Sequence, residues 1–443
     1  MNTLPFRAGV LALLSVLAVA AQAETLADIY QLARENDPRY RAMRSEFEAT
    51  EFATKEARSG LLPNVGLGYT RATVDQNITK SENAVFATGQ AKYPTTEQTL
   101  TITQPIFKLG AWRRYNQAKA TEKQAASAYA AAEQDLMMRT ATAYLAVLAA
   151  QDALALAKGE QESIRRQLDL AQGKYSSGQA TVVNLYDARA RNALKESDVV
   201  AAENDLADKM QALREIIGRM PGNLSVLPAT IPLIGPEPQD PEQWVGTSLN
   251  NNLLLQARQM AVEVARQEIG RQKAGYFPSL DFSYSRNVND TGGSLFGGGS
   301  TVNTNQMMFR LTVPIYEGGA TSALTGQAVK HHETAREDLE RDRRQIERQA
   351  RAAYLGVMSG MVRVNALNQS VTALESARKL KDEGYKAGLT TVLAVLDAER
   401  DLYAARRDAA QARYDYQLNV LRLKQAAGSL SEEDLLRLSR LMQ

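Results

Sequence analysis

Few residues in this chain are placed to do chemistry, and their spacing removes most reactions. The 443 residues include two histidines, His331 and His332, and no cysteine. Adjacent on a helix, the two imidazoles point about 100° apart and cannot face one metal ion together. Without cysteine there is no disulfide framework, no thiolate metal site and no acylated anchor. No Ser-His-Asp set, Walker loop or zinc spacing occurs in the sequence. The glycine run TGGSLFGGGST at 291–301 has no Lys-Ser/Thr pair after it and no helix start nearby, so it reads as a hairpin loop rather than a phosphate cradle. The sequence therefore predicts no catalytic residue, no metal and no cofactor. What remains is a set of tyrosine, glycine, threonine and aspartate side chains that occurs twice.

Residues 175–189 read YSSGQATVVNLYDAR and residues 385–399 read YKAGLTTVLAVLDAE. Six of fifteen positions match at a spacing of 210, namely Tyr175/Tyr385, Gly178/Gly388, Thr181/Thr391, Val182/Val392, Asp187/Asp397 and Ala188/Ala398. A glycine after a long helix suits a left-handed terminus. A threonine before an apolar run suits an N-cap. Each copy is thus expected to be the tip of an antiparallel helical hairpin, shaped by Gly178 and Thr181 in one case and by Gly388 and Thr391 in the other.

The duplication runs through the whole chain. GLLPNVGLGY at 60–69 answers GYFPSLDFSY at 275–284, and TQPIFKLG at 103–110 answers TVPIYEGG at 312–319. A period this long is a tandem duplication of a whole unit. The first repeat covers 24–218 and the second 246–428. Between them, 219–245 holds six prolines (Pro221, Pro228, Pro232, Pro236, Pro238 and Pro241) and is expected to be an extended connection. Residues 429–443 are expected to form a short final helix, opened by Ser429 with Glu432 or Ser431 with Asp434.

Each repeat is expected to run helix, strand, strand, very long helix, helix. The first helix, 25–59, is weakened at Asp37–Pro38. Strands are expected at 64–75 and 97–107, then at 279–287 and 306–314. In the last of these, Met307, Phe309, Leu311 and Val313 alternate with Met308, Arg310 and Thr312, the period of a half-buried strand. Pro63, Pro105, Pro278, Pro314, Gly318 and Gly319 mark the junctions between strands and helices. Long helices are expected at 110–172 and 317–383, each roughly 90–100 Å long at 1.5 Å per residue. Their return helices are expected at 181–217 and 391–427. Val395, Leu402, Ala409, Tyr416 and Leu423 are spaced by seven, and so are Val199, Leu206 and Leu213. That spacing keeps an apolar seam turned toward partner helices in a left-handed coil. The common alternative is a solvated coiled-coil rod.

Arg7, the apolar stretch 8–20 and AQA at 21–23 form a secretory signal pattern, so 1–23 is expected to be removed before Glu24. The formal charge of +2 then falls to +1 with the loss of Arg7, a balance that argues against a nucleic-acid partner. Beyond residue 23 no apolar run reads as a membrane-spanning helix, so any membrane passage falls to the strands. Four strands cannot close a barrel, for which about eight is the smallest usual number. Open edges are not tolerated in lipid. Strands in a membrane would therefore require several chains to share one barrel.

The duplicated halves, the QPIF…G and VPIYEGG junctions and the Y-x-x-G…VLDAE tip resemble the TolC-like outer-membrane channel proteins of Gram-negative bacteria. The resemblance covers essentially the whole mature chain. It implies an α+β membrane protein that supplies one third of a trimeric twelve-stranded barrel and of a helical periplasmic tunnel. It implies no enzymatic activity. The expected partners are two further copies of the chain, a periplasmic adaptor, an inner-membrane ABC or proton-driven exporter and outer-membrane lipid. The missing lipidated cysteine and the VLDAE wording favour the type I secretion branch over multidrug efflux. A non-porous periplasmic coiled-coil scaffold is the reading from another class. By the same resemblance the entrance is gated at the tips. Asp397 matches one acidic gate position and Ala394 occupies the other. Tyr385 matches a latch tyrosine, while Asn184 and Thr390 stand where charged residues are typical. The resemblance thus implies a neutral hydrogen-bonded latch and easier opening than in charged-latch relatives.

Overall fold

The computed structural model describes residues 23–80, 89–293 and 298–442. The expected signal peptide, except Ala23, and the centre of the glycine-rich loop lie outside the described residues. Thr25 opens α1 (Leu26–Asn36) with a capping box to Asp28. Asp37 ends that helix and caps α2 (Pro38–Ser59), its carboxylate accepting from the Tyr40 N–H at 2.6 Å. Proline is well placed at the first position of α2, so the expected single weakened helix is two helices.

Strands β1 (Asn64–Ile78) and β2 (Gly89–Lys108) follow, each longer than its apolar core predicts. Pro105 does not stand at the junction. It lies inside β2, where the register shifts between Pro105 and Phe107, so a bulge absorbs the missing N–H and the strand runs on to Lys108. Helix α3 (Leu109–Ser176) spans 68 residues and returns through α4 (Val182–Ile217). The connection stays extended to Asp240. Pro241 does not belong to it but opens α5 (Pro241–Asn251), with Asp240 as the cap. Then come α6 (Leu253–Lys273), a 3-10 turn at Ala274–Tyr276, β3 (Ser279–Thr291), β4 (Ser300–Thr312), α7 (Ala320–Lys386), α8 (Val392–Ala426) and α9 (Glu432–Leu441). Pro63 and Pro278 immediately precede β1 and β3. Pro314 follows β4, and Gly318 and Gly319 take φ of +63° and +83° at the start of α7. Of the two capping pairs considered for α9, Ser431 with Asp434 forms the box.

The main core gathers where chain ends, connection and helices meet. Leu26, Ile29 and Tyr30 of α1, Leu136, Tyr144 and Leu148 of α3, Leu213 of α4, and Leu435 and Leu438 of α9 are buried together. Burying each such side chain contributes about 1.5–3 kcal/mol. The Tyr144 hydroxyl lies 3.0 and 2.9 Å from the carbonyls of Glu24 and Ser225, tying the first described residues to the connection. One 18-residue stretch of α3 reaches a mean hydropathy of 1.3 and so meets the composition of a spanning helix, contrary to the expectation from sequence. Of that stretch 44% is buried against protein, so packing within the chain accounts for part of its apolarity.

The four strands form one antiparallel sheet in the order β1-β2-β3-β4, the repeats being joined through β2 and β3. Cross-strand partners share a face. Val65, Ile102, Tyr284 and Met307 form one row across all four strands. Gln104, Phe282 and Phe309 form the next, with the two phenyl rings 5.0 Å apart. One residue along, on the opposite face, lie Gly66, Thr101, Ser285 and Gln306, then Gly68, Thr99, Asn287 and Thr304. One face is mainly apolar and uncovered, although Arg286 and Asn305 share it in the row of Leu67 and Leu100, and the other is polar. The outer edges of β1 and β4 have no strand partner among the described residues.

Candidate functional site

The two hairpin tips repeat one backbone design. At the first, the N–H groups of Gly178 and Gln179 donate to Tyr175 and Lys174 carbonyls at 3.0 and 2.8 Å. At the second, Gly388 and Leu389 donate to Tyr385 and Gly384 at 3.1 and 2.7 Å. Both glycines hold positive φ, +75° and +79°, and both turns are Schellman motifs. Thr391 caps α8, its hydroxyl accepting from the Ala394 N–H at 3.3 Å. Thr181 occupies the matching place without a side-chain capping bond.

Side chains join the tips where the sequence did not place the link. Tyr385 is buried, and its hydroxyl has no hydrogen-bond partner. Burial pushes that phenol above its ordinary pKa. The Lys174 ammonium sits 3.9 Å from the centre of the Tyr385 ring and donates to the Tyr385 carbonyl at 3.2 Å. Asn184 and Thr390 make no side-chain hydrogen bond, so the neutral latch expected from Tyr385, Asn184 and Thr390 is not formed. A charged tie is present instead. Arg191 of α4 pairs with Asp397 of α8 at 2.8 Å, and Arg400 stands 3.6 Å from the same carboxylate.

Further polar links join the repeats along the coil. Glu160, nearly fully buried on α3, meets Lys195 of α4 at 2.9 Å and Arg407 of α8 at 3.1 Å. Nearer the core, the Tyr414 hydroxyl donates to Asp152 at 2.8 Å. Toward the tip, Gln167 donates to Asp382 at 3.3 Å and Lys386 reaches the same carboxylate at 2.8 Å. Burial alone would push Asp382 up, but the Lys386 and Gln167 hydrogen bonds outweigh it and hold the carboxyl below the usual range. Sequence reasoning missed these residues. Their signal was available, because Glu160, Gln167 and Lys174 are spaced by seven on α3, the period of the apolar seam. Around them Ile164, Ala171, Ala188, Val392, Val395 and Leu396 pack into one apolar cluster. Among the described residues no group of acids and histidines could hold a metal ion.

The arrangement presents a two-faced sheet at one end of a coil about 100 Å long and a polar-laced pair of hairpin tips at the other. Comparison with known proteins agrees with that description. The family model described as outer membrane efflux protein matches twice, over residues 29–219 and 244–429, one match to each repeat. The chain is 33% identical to outer membrane protein TolC of Vibrio cholerae over 429 residues, covering 96% of this chain and 95% of that one. It is 28% identical to the proteases secretion protein PrtF of Dickeya chrysanthemi over 433 residues, covering 96% and 93%. The crystal structure of the Campylobacter jejuni CmeC outer membrane channel has the same fold, with a TM-score of 0.79 at 14% identity, covering 100% of this chain and 98% of that chain. A sheet with a bare apolar face, two long coiled hairpins and a match in each repeat place this chain in the outer membrane efflux protein family.

Proposed function

We propose that the chain is one third of a homotrimeric, passive exit duct that carries cargo from an inner-membrane exporter and a periplasmic adaptor across the outer membrane. The observation that carries this reading is the sheet. Its apolar face suits lipid, its polar face suits a water-filled lumen, and the free edges of β1 and β4 can be closed only by other copies. Three copies give twelve strands. The coils extend the lumen through the periplasm, and the joined tips close its inner end. Tyr385 and Asp397 belong to that closure, Gly178, Gly388 and Thr391 shape it, and Asn184, Thr390 and Thr181 line it without tying it. Energy comes from the exporter, whether ABC-type or proton-driven. Nucleic acid has no part in it.

Protein secretion is the favoured use. PrtF and the alkaline protease secretion protein AprF of Pseudomonas aeruginosa match nearly the whole chain, whereas the probable efflux pump protein SepC of Pseudomonas putida matches 84% of it. Small-molecule efflux is the second reading, supported by the efflux names among the relatives. The test is complementation of cells lacking their own outer-membrane channel. The chain should restore protease release into the medium, with smaller gains in resistance to toxic compounds. Restored resistance without protease release would reverse the order, and restoration of neither would end the duct reading.

A further inference from the structure

We propose that the middle of the duct carries an arginine-lined site that binds acidic stretches of polypeptide as they pass. The inference rests on the exit-duct reading above and deepens it by naming the chemistry of the cargo.

Helices α2, α3, α6 and α7 stand side by side in that order. Helix α8 runs on into α6, because Asn252, the cap of α6, donates to the Ala426 carbonyl at the end of α8 at 3.0 Å. A cavity of about 840 Å³ is lined by residues of all five helices. A space bordered by every helix of a row lies on the face toward which the row curves. Two nine-residue spacings agree, because nine residues turn a helical side chain by about 180°. Asp135 lines the cavity, while Tyr144 binds the carbonyls of Glu24 and Ser225. Arg348 lines the cavity, while Val357 lies in the cluster that takes in Ile231 and Leu233 of the connection. The connection thus covers one face of the wall. The cavity opens on the other, which is the lumen side of a trimer.

The charged residues lining the cavity are Arg39, Arg139, Arg348, Arg422 and Asp135. Arg139 is occupied by Asp37, at 2.8 and 3.1 Å, and by Asp135, at 2.9 Å. Arg39 stands 3.6 Å from the same Asp135. Two carboxylates therefore offset two of the four guanidinium charges. Arg348 and Arg422 are exposed and have no ion pair among the described residues. Arg422 donates within its own helix, to the Asn419 amide oxygen at 3.2 Å. Three copies would set six such groups around one axis, and a hollow lined by one sign of charge concentrates the opposite sign. Guanidinium forks match carboxylates in shape as well as charge. The volume is that of a site for a molecule much larger than a simple inorganic ion. Met43, Leu253 and Leu254 share the lining, which suits a chain with carbon surface of its own. An acidic polypeptide segment fits both the charge and the size.

Single-channel recordings on the trimer in planar bilayers, with an oligoglutamate peptide added to one side, test this. The peptide should interrupt the current of the parent. Arg348→Gln with Arg422→Gln should raise the concentration for half block about tenfold, through the loss of charge-assisted hydrogen bonds. It should also shift the reversal potential in a KCl gradient toward cations. Arg348→Lys with Arg422→Lys should fall between parent and glutamine variant, because the charge stays and the forks are lost. The ion current of each variant shows that it assembles. A glutamine variant blocked at the parent's concentration, or a parent that is not blocked, would overturn the site while leaving the duct intact. Equal block of the parent by citrate would overturn the polypeptide reading in favour of a small-anion site. A parent protein that forms no pores would overturn the duct reading itself.

Discussion

At the tip of the first hairpin Tyr175 is 44% exposed, while its counterpart Tyr385 lies beneath Lys174 with 6% exposed. The same division runs up the coils. Helix α8 buries fifteen residues and α4 five, although they derive from one repeated plan and differ by one residue in length. Position explains the difference. Helix α8 wedges between α7 and α3, whereas α4 packs chiefly on α3, with lesser contacts to α1 and α8. The backbone of the repeat is reproduced faithfully, with matching glycines at matching φ, because turn geometry depends on local residues. The side chains diverge because burial depends on neighbours that the repeat does not share. Duplication supplied the shape twice, and asymmetric packing made the second copy the enclosed one.

The sharpest test of that asymmetry is a pair of matched truncations. Leu396→Ala should cost about 2–5 kcal/mol, as a fully buried leucine does. Tyr186→Ala, 210 positions earlier, should cost no more than about 0.5 kcal/mol, as an exposed site does. Denaturant unfolding of the detergent-solubilised protein reads both. Equal costs would mean that neighbouring copies cover α4 and that the asymmetry belongs to the single chain alone. The glycines should behave alike. Gly178→Ala and Gly388→Ala each force an ordinary residue into left-handed geometry, for about 1–2 kcal/mol. Nothing lies within 4 Å of either added methyl, so backbone strain is the whole effect. Unequal losses in thermal melts would show that the shared turn geometry is not equally required.

The threonines should differ. Thr391→Ala removes a capping bond worth about 1 kcal/mol, and Thr181→Ala removes none. Amide exchange in the first turns of α8 and α4 measures this, and a matching loss at α4 would contradict the capping difference. Acid should discriminate most finely. Asp382 stands where the first hairpin has Gln172, and its folded pKa is lowered. A lowered carboxyl contributes stability that is complete above the unfolded value, about pH 4, and is lost as pH falls through the folded value. The part carried by its Lys386 pair is only about 0.3–0.5 kcal/mol because Lys386 is largely in water. Exchange at the end of α7 should rise in acid before that at the end of α3, and Asp382→Asn should abolish the difference.

Much of this fold was legible in the residues. Alternation in 307–313 located β4, and the seven-spacing from Val395 to Leu423 located a seam whose five members are all buried. Local signals failed where a neighbour decides the outcome. Pro105 read as a boundary because its missing N–H is local, whereas the bulge that accommodates it depends on β3. Pro241 read as a helix stop because its place after Asp240, as the first residue of a helix, was not weighed. The latch failed for the same kind of reason. The tip motif drew attention to Asp397, Tyr385, Asn184 and Thr390, while the side chains that meet Tyr385 and Asp397, namely Lys174 and Arg191, lie outside the matched positions and reach the second repeat only through tertiary packing.

The central claim is that one chain cannot enclose a pore and three can. Weighing the mature protein in detergent, on the same preparation used for bilayer conductance, tests it most directly. The account predicts a particle of three chains that conducts ions across a planar membrane. A folded single chain that leaves the membrane ion-tight would contradict it.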